Sequence, residues 1–290
     1  MIGAMTEIQT ISTVEPFRRL APPRLERARG AARIAVRRDG DRSRLEALYQ
    51  KGSAKIGLPR VAPDAPLEAI LINTAGGVTG GDHLRYEVAV AGGARATIAT
   101  QAAERVYRRS SGVAEIESDL RVGTGGRLDW LPQETILFDR SALSRRLTAE
   151  VAATASLLAI EAIVLGRAAM GETVREAFAT DAWRIRRGGR LVFADAMRLD
   201  GDAATIMAGG ATGKGARAFA TLVLVSPDAE ARIAAARAAL DGIEGEAGVS
   251  AWNGILVGRL IAPGGQALRA GLMKLVEALR GERMPRVWHC

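Results

Sequence analysis

Carboxylates set beside glycines or inside apolar runs are the residues of this sequence best suited to chemistry. The segment 71–82, LINTAGGVTGGD, is the densest case. An apolar run enters a turn holding Gly76, Gly77, Gly80 and Gly81, and the turn ends on Asp82. Glycine is needed where the backbone takes positive φ or must approach another group closely. Two Gly-Gly pairs split by Val78 and Thr79 therefore predict a constrained loop. It either aims the Asp82 carboxylate at something or forms the wide turn of a β-hairpin. The spacing does not fit G-x-G-x-x-G, and residues 86–90 alternate like a strand, so no dinucleotide motif is present. The segment 209–215, GGATGKG, fails as a phosphate loop. Lys214 is followed by Gly215, where Ser or Thr should bind magnesium.

Other chemistries lack their parts. The histidines are His83 and His289, and the sole cysteine is Cys290. An internal disulfide, a multi-cysteine zinc site and a histidine-rich metal centre are excluded. No G-x-S-x-G elbow accompanies His83 as a base.

The elements that must position these carboxylates are mostly strands. Alternation of period two recurs at 44–49, 86–90, 95–100, 114–122, 127–131, 147–165, 190–194 and 218–225. Residues 255–262 form an apolar strand candidate. The β region begins near Ala31, after an irregular, proline-bearing stretch over 1–30. Three stretches, 88–101, 120–133 and 183–195, each read as strand, Gly-Gly, strand, which predicts tight hairpins. The pairs Gly92-Gly93 and Gly125-Gly126 lie 33 residues apart, as expected of stacked β layers built from similar units. Two helices are predicted in the C-terminal third. One follows Ser226 as N-cap and Pro227, over 227–241. The other covers 266–280, with Leu268, Leu272, Leu275, Val276 and Leu279 on one stripe and Gly281 as C-cap. No linker divides 31–290, so a single domain is expected.

Composition narrows the class further. Hydrophobic residues make up 48% and charged residues 25%, ordinary values for a globular chain. No apolar run approaches the ~20 residues of a membrane helix. The N-terminus lacks the order of a signal peptide, so a cytoplasmic location is expected. The formal net charge is +8, and the lysines are only Lys51, Lys55, Lys214 and Lys274. The arginines are spread out and no stacking aromatics interleave with them. That favours an acidic protein partner over nucleic acid.

Five segments in order resemble one family: NTAGGVTGGD (73–82), TQAAERVYR (100–108), WLPQETILFDRS (130–141), EAIVLGRAAMGE (161–172) and PRVW (285–288). Together they look like the urease accessory protein UreD, called UreH in some organisms. The resemblance implies a mainly β, β-solenoid-like fold of helically arranged strands. It also implies a non-enzymatic scaffold that contacts apo-urease and a UreF-like protein, and through that protein a UreG-type GTPase. Nickel would pass through the chain in transit to the urease active site, with no tightly bound cofactor.

The residue types agree with transit. The matching motifs hold carboxylates, Asp82, Glu134, Asp139, Glu161 and Glu172, and no histidine cluster. Oxygen ligands hold a first-row divalent ion loosely. Asp82, Glu161 and Glu172 are the candidate metal path. Thr100, Gln101, Glu134, Asp139 and Arg167 are candidate path or interface residues. Each has a plainer role open to it. Asp82 caps its loop. Glu161 is paired within its apolar strand, with Arg167 as the named partner, because an unpaired buried charge is costly. Glu172 is a turn acid, Thr100 and Gln101 satisfy backbone groups, and Glu134 and Asp139 are surface residues. His289 and Cys290 either bind metal or fray with the terminus. Two other functions fit the same carboxylates: a carboxylate-based hydrolase, and a β interaction module without a metal role.

Overall fold

The computed structural model describes residues 26–62 and 64–289, so most of the irregular segment expected over 1–30 lies outside the described residues. The alternating stretches are strands, and they wind as a coil. One sheet takes β1 (Arg29–Asp39), β2 (Arg42–Gly52), β5 (His83–Val90), β8 (Ala114–Val122), β11 (Ser141–Val151), β13 (Ala177–Arg187) and β14 (Arg190–Gly201), in the order β14-β13-β11-β8-β5-β1-β2. The facing sheet takes β3 (Ala54–Gly57), β4 (Leu67–Asn73), β6 (Arg95–Thr100), β9 (Arg127–Leu131), β12 (Ser156–Leu165), β15 (Ala218–Val225), β16 (Glu246–Trp252) and β17 (Ile255–Ala262), in the order β16-β17-β15-β12-β9-β6-β4-β3. Two short strands, β7 (Glu104–Val106) and β10 (Thr135–Leu137), pair with each other in parallel, and β10 pairs in parallel with the end of β12.

The central strands of both sheets run parallel. Parallel neighbours need a long crossover. Here each sheet's strand is the crossover of the other, so no helix has to intervene. This is the β-solenoid-like arrangement that the resemblance implies.

The coil corrects two strand-level expectations. Gly92-Gly93 and Gly125-Gly126 are not hairpins. They are corners that carry the chain from one sheet to the other, between β5 and β6 and between β8 and β9. Corners stack on one another: Gly123 N donates to Val90 O at 2.8 Å, and Gly93 N to Thr124 O at 3.0 Å. The Gly-Gly signal marks a sharp reversal, and periodicity does not say whether the strands that follow pair or face each other. Of the three Gly-Gly pairs, Gly188-Gly189 alone closes a hairpin, between β13 and β14. The long stretch 147–165 is likewise two strands, β11 and β12, split by a corner at 152–155.

The core lies between the sheets. Leu143, Leu147, Ala149 and Val151 of β11 face Leu157, Ala159, Ile163 and Leu165 of β12 within it. The other face of β12, Leu158, Ile160, Ala162 and Val164, belongs to a second core. That core packs under α2 (Ile233–Ala239) and α3 (Gly265–Arg280). Burial on both faces explains why 156–165 reads as one apolar run. The stripe of α3 is buried as expected, and Gly281 ends the helix at φ 70°, donating to Glu277 O at 2.9 Å. The other expected helix begins later than Pro227, as a 3-10 turn at Glu230–Arg232 that runs into α2. Ser226 Oγ hydrogen-bonds Asp228 instead of capping α2. A short α1 (Ala203–Ala208) was not anticipated; Asp202 caps it by accepting from Thr205 N at 3.0 Å. The GGATGKG segment follows as a loop, with Lys214 Nζ 2.7 Å from Glu246.

Candidate functional site

The coil has two unlike ends. Tight corners at 91–94, 123–126 and 152–155 close one end. Loops 74–82, 101–113, 132–140 and 166–176 close the other. Every quoted motif reaches the loop end. The terminal PRVW segment docks beside it: Trp288 Nε1 donates to Leu131 O at 3.0 Å, and Gln133 Nε2 to Val287 O at 3.1 Å.

Glycine lets the first two loops press together. A Cβ on Gly77 would stand 2.8 Å from Arg105 O, and one on Gly80 would stand 2.2 Å from Ser111 O. Val78 N donates to Arg105 O at 2.8 Å, and Tyr107 N returns to Val78 O at 2.8 Å. Asp82 is buried beneath this contact. Its Oδ2 accepts from Thr79 N and its Oδ1 from Ala28 N, each at 2.8 Å. The carboxylate thus caps its own loop and ties down the segment entering β1. The wide hairpin considered for this segment does not form, because β4 and β5 lie in different sheets.

Beside the loop is a cavity of about 250 Å³ lined by Asn73, Gly77, Tyr86, Thr100, Gln101 and Glu104, among others. Burial pushes the Glu104 carboxyl up to about 7; a hydrogen bond from Asn73 Nδ2 opposes the rise and the Asp82 charge adds to it. That bond measures 3.1 Å to Oε1. Burial also raises the Tyr86 phenol. Thr100 is partly used in backbone work, as its Oγ1 accepts from Gln133 N at 2.9 Å. Gln101 is exposed at the rim.

A polar row runs inward from Glu104. Parallel register sets Glu104 of β7 beside Thr135 of β10. Thr135 Oγ1 accepts from Arg145 Nη1 at 3.0 Å. Arg145 lies 2.5 Å from Glu161 Oε2 and 2.7 Å from Asp181 Oδ2. Trp130 Nε1 donates to Glu161 Oε1 at 3.3 Å. Arg145, Glu161 and Asp181 are all buried in the inter-sheet core. Burial pushes the Glu161 carboxyl upward; Arg145 opposes this and Asp181 reinforces it. Two carboxylates share one guanidinium, and the sharing is incomplete. Among the described residues, Asp181 Oδ1 and Arg145 Nε have no hydrogen-bond partner. Orphaned buried polar atoms are costly and uncommon, so this stretch of the core has unused capacity for a polar guest.

Glu161 therefore pairs with Arg145 and not with Arg167. Arg167 sits past the end of β12, where it pairs with Glu172 at 2.8 Å. Sequence proximity favours Arg167, but β11, the preceding strand in the facing sheet, and not the end of the same strand, stands opposite Glu161. Glu172 is held at about 2, chiefly by Arg167 and also by the backbone N–H groups of Asp139 and Arg167, against an opposing burial effect. Asp139 Oδ1 accepts from Arg175 N at 2.8 Å and Glu176 N at 3.0 Å. Glu134 pairs with Arg269 of α3 at 2.9 Å. Asp82, Glu161 and Glu172 thus lie at three separate stations. Among the described residues, no three of His, Cys, Asp or Glu group closely enough to hold a metal ion. His289 is exposed at the end of the final 3-10 turn, and Cys290 lies outside the described residues.

Sequence reading missed Asn73, Glu104, Arg145 and Asp181 as site residues, and the signal was present. Arg145 and Asp181 occupy inward positions of period-two strands, between Leu143 and Leu147 and between Ala179 and Trp183. A charge at such a position must find a partner inside. Glu104 lies within a quoted motif.

The fold is thus a coiled β sandwich with a polar row entering its core. The family model for the UreD urease accessory protein matches residues 28–289. The chain is 48% identical over 270 residues to the urease accessory protein UreD of Rhizobium rhizogenes, covering 93% of this chain and 98% of that protein. Its identity to the UreD of Methylobacterium sp. is 49% over 276 residues, covering 92% and 96%. That of Xanthobacter autotrophicus is 48% identical over 263 residues, covering 91% and 90%. This chain belongs to the UreD family of urease accessory proteins. Among the described residues, no helix is long and apolar enough to cross a membrane.

Proposed function

We propose that this chain is a non-enzymatic, cytoplasmic scaffold of urease maturation that carries nickel toward apo-urease. It binds apo-urease and a UreF-like protein, and through the latter a UreG-type GTPase. One observation supports the transit role above the rest: polar side chains continue from the Glu104 cavity through Thr135 to Arg145, Glu161 and Asp181 in the middle of the core. An apolar core would serve a plain interaction module better, since a buried ion pair adds little stability over well-packed apolar residues. Carboxylates without histidine suit a cargo that must leave again.

In this reading Glu104 and Glu161 meet the metal. Both carboxyls are raised toward neutrality, so each exchanges a proton for a cation near physiological pH. Asp82 and Glu172 accept from backbone N–H groups and hold the loops that bound the route. Thr100, Gln101, Glu134 and Asp139 shape its surroundings.

The test is urease activation in cells that express Glu104→Gln or Glu161→Gln, with the complex purified in parallel. Urease should co-purify normally and contain less nickel. Full nickel loading by both stable variants would end the transit reading and leave the scaffold reading standing.

A further inference from the structure

We infer that the polar row has a second mouth, in the seam between the sheets at β14, β15 and β17, and that the Asp195–Arg259 ion pair is its gate. The inference rests on the transit reading above and names what closes that row. Cross-strand partners in register share one face of a sheet, about 4.8 Å apart. In one sheet Asp181 of β13 stands between Arg145 of β11 and Met197 of β14. In the facing sheet Thr221 of β15 stands between Glu161 of β12 and Arg259 of β17. Met197, Thr221 and Arg259 line a cavity of about 380 Å³. Each buried carboxylate of the row is therefore one strand from that cavity, Asp181 through Met197 and Glu161 through Thr221.

Polar contacts continue across the seam. Thr221 Oγ1 accepts from Arg259 Nη1 at 3.0 Å, and Arg259 Nη2 lies 2.7 Å from Asp195 Oδ2. Asp195 belongs to β14 of one sheet and Arg259 to β17 of the other, so the pair straps the sheets together where the sandwich opens. The second arginine lining the cavity, Arg198, pairs with Asp200 at 2.5 Å. Each arginine there has an aspartate partner, and a closed pair neither draws nor repels a divalent cation. The Arg259 side chain is 52% exposed, and ion pairs so open to water hold weakly. Turned out to solvent, it leaves the Asp195 carboxylate, the Thr221 hydroxyl and the Met197 thioether at the mouth. Those groups bind a first-row divalent ion without a histidine's grip.

The test is the nickel content of urease co-purified from cells grown at limiting nickel, one variant of the whole chain at a time. Asp195→Asn leaves the Arg259 charge unopposed at the mouth and should lower nickel content threefold or more. Arg259→Gln frees the Asp195 carboxylate and should raise it at least twofold. The double variant should return close to the unaltered chain. A strap with a structural task alone gives losses of one sign in both single variants; that result, or no change in either, overturns the gate. Glu104→Gln and Glu161→Gln, run alongside, separate the two readings. Full loading by both ends the transit reading and this one with it. Reduced loading by them, beside unmoved Asp195 and Arg259 variants, overturns the gate alone. A reversible plug gives a measurement that folding does not confound. Thr221→Cys in a Cys290→Ser chain, capped through a disulfide within the purified complex, should transfer nickel to apo-urease at least fivefold more slowly than the Cys290→Ser complex treated alike, and reduction by a phosphine should restore the rate. Transfer unaffected by the cap overturns the second mouth.

Discussion

The corner end and the loop end of this coil solve different problems with the same residue, glycine. At the corners, Gly92, Gly93, Gly125 and Gly126 let the backbone turn, and neighbouring corners bond through their main chains. At the loop end, Gly77 and Gly80 let two loops touch, and the contact encloses Asp82 and borders the Glu104 cavity. The corner end carries few side chains with polar tasks, whereas the loop end carries buried carboxylates whose protonation is shifted. Changes at the corners should therefore read out in stability, and changes along the polar row in both stability and activation.

The largest effect is expected from Arg145→Met. It leaves Glu161 and Asp181 buried without a counter-charge, which typically costs about 3–5 kcal/mol. Urea unfolding should show the loss. A variant that also carries Glu161→Gln and Asp181→Asn should recover most of it; failure to recover would mean that the triad is not an isolated charge balance.

Asp82→Ala removes the carboxylate that accepts from two backbone N–H groups at the loop end, and stability should fall by roughly 1–3 kcal/mol. Gly93→Ala places a side chain at φ 67° on a corner. It should cost about 1–2 kcal/mol and leave urease activation by the folded fraction unchanged. Equal loss of activation by the corner variant and the loop variant at matched stability would erase the distinction between the two ends.

The smallest effects concern pH. Glu104 is raised from 4.5 to about 7 in the folded chain. The unfolded chain then loses this proton first, so stability falls as pH rises from about 4.5 to about 7 and levels off above. Glu172 is held at about 2 against 4.5, so it contributes stability that is lost as pH falls through that range. Melting curves of Glu104→Gln should show a weaker decline between pH 5 and 8, and those of Glu172→Gln a weaker decline in acid. An unchanged profile in Glu104→Gln would mean that this carboxyl is wetter than its cavity implies.

Strand content, the α3 stripe and the Asp82 loop were all legible in the sequence, because period-two alternation, a helical stripe and glycine clustering are local properties. The mispairing of Glu161 shows where legibility stops. Arg167 is near it in sequence, yet Arg145 is the partner, sixteen positions back on a strand of the facing sheet. Asp181, across from Arg145 in register, was invisible for the same reason.

The sequence by itself determined that this protein is mainly β and that its family is UreD. Alternation and motif order are written along the chain and need no partner to be read. Only the tertiary structure decided that two Gly-Gly turns are corners and not hairpins. Whether strands after a turn pair or face each other depends on which sheet buries them. It also decided that Glu104, Thr135, Arg145, Glu161 and Asp181 form one polar row. They come from five strands, and winding the coil is what stacks them in register.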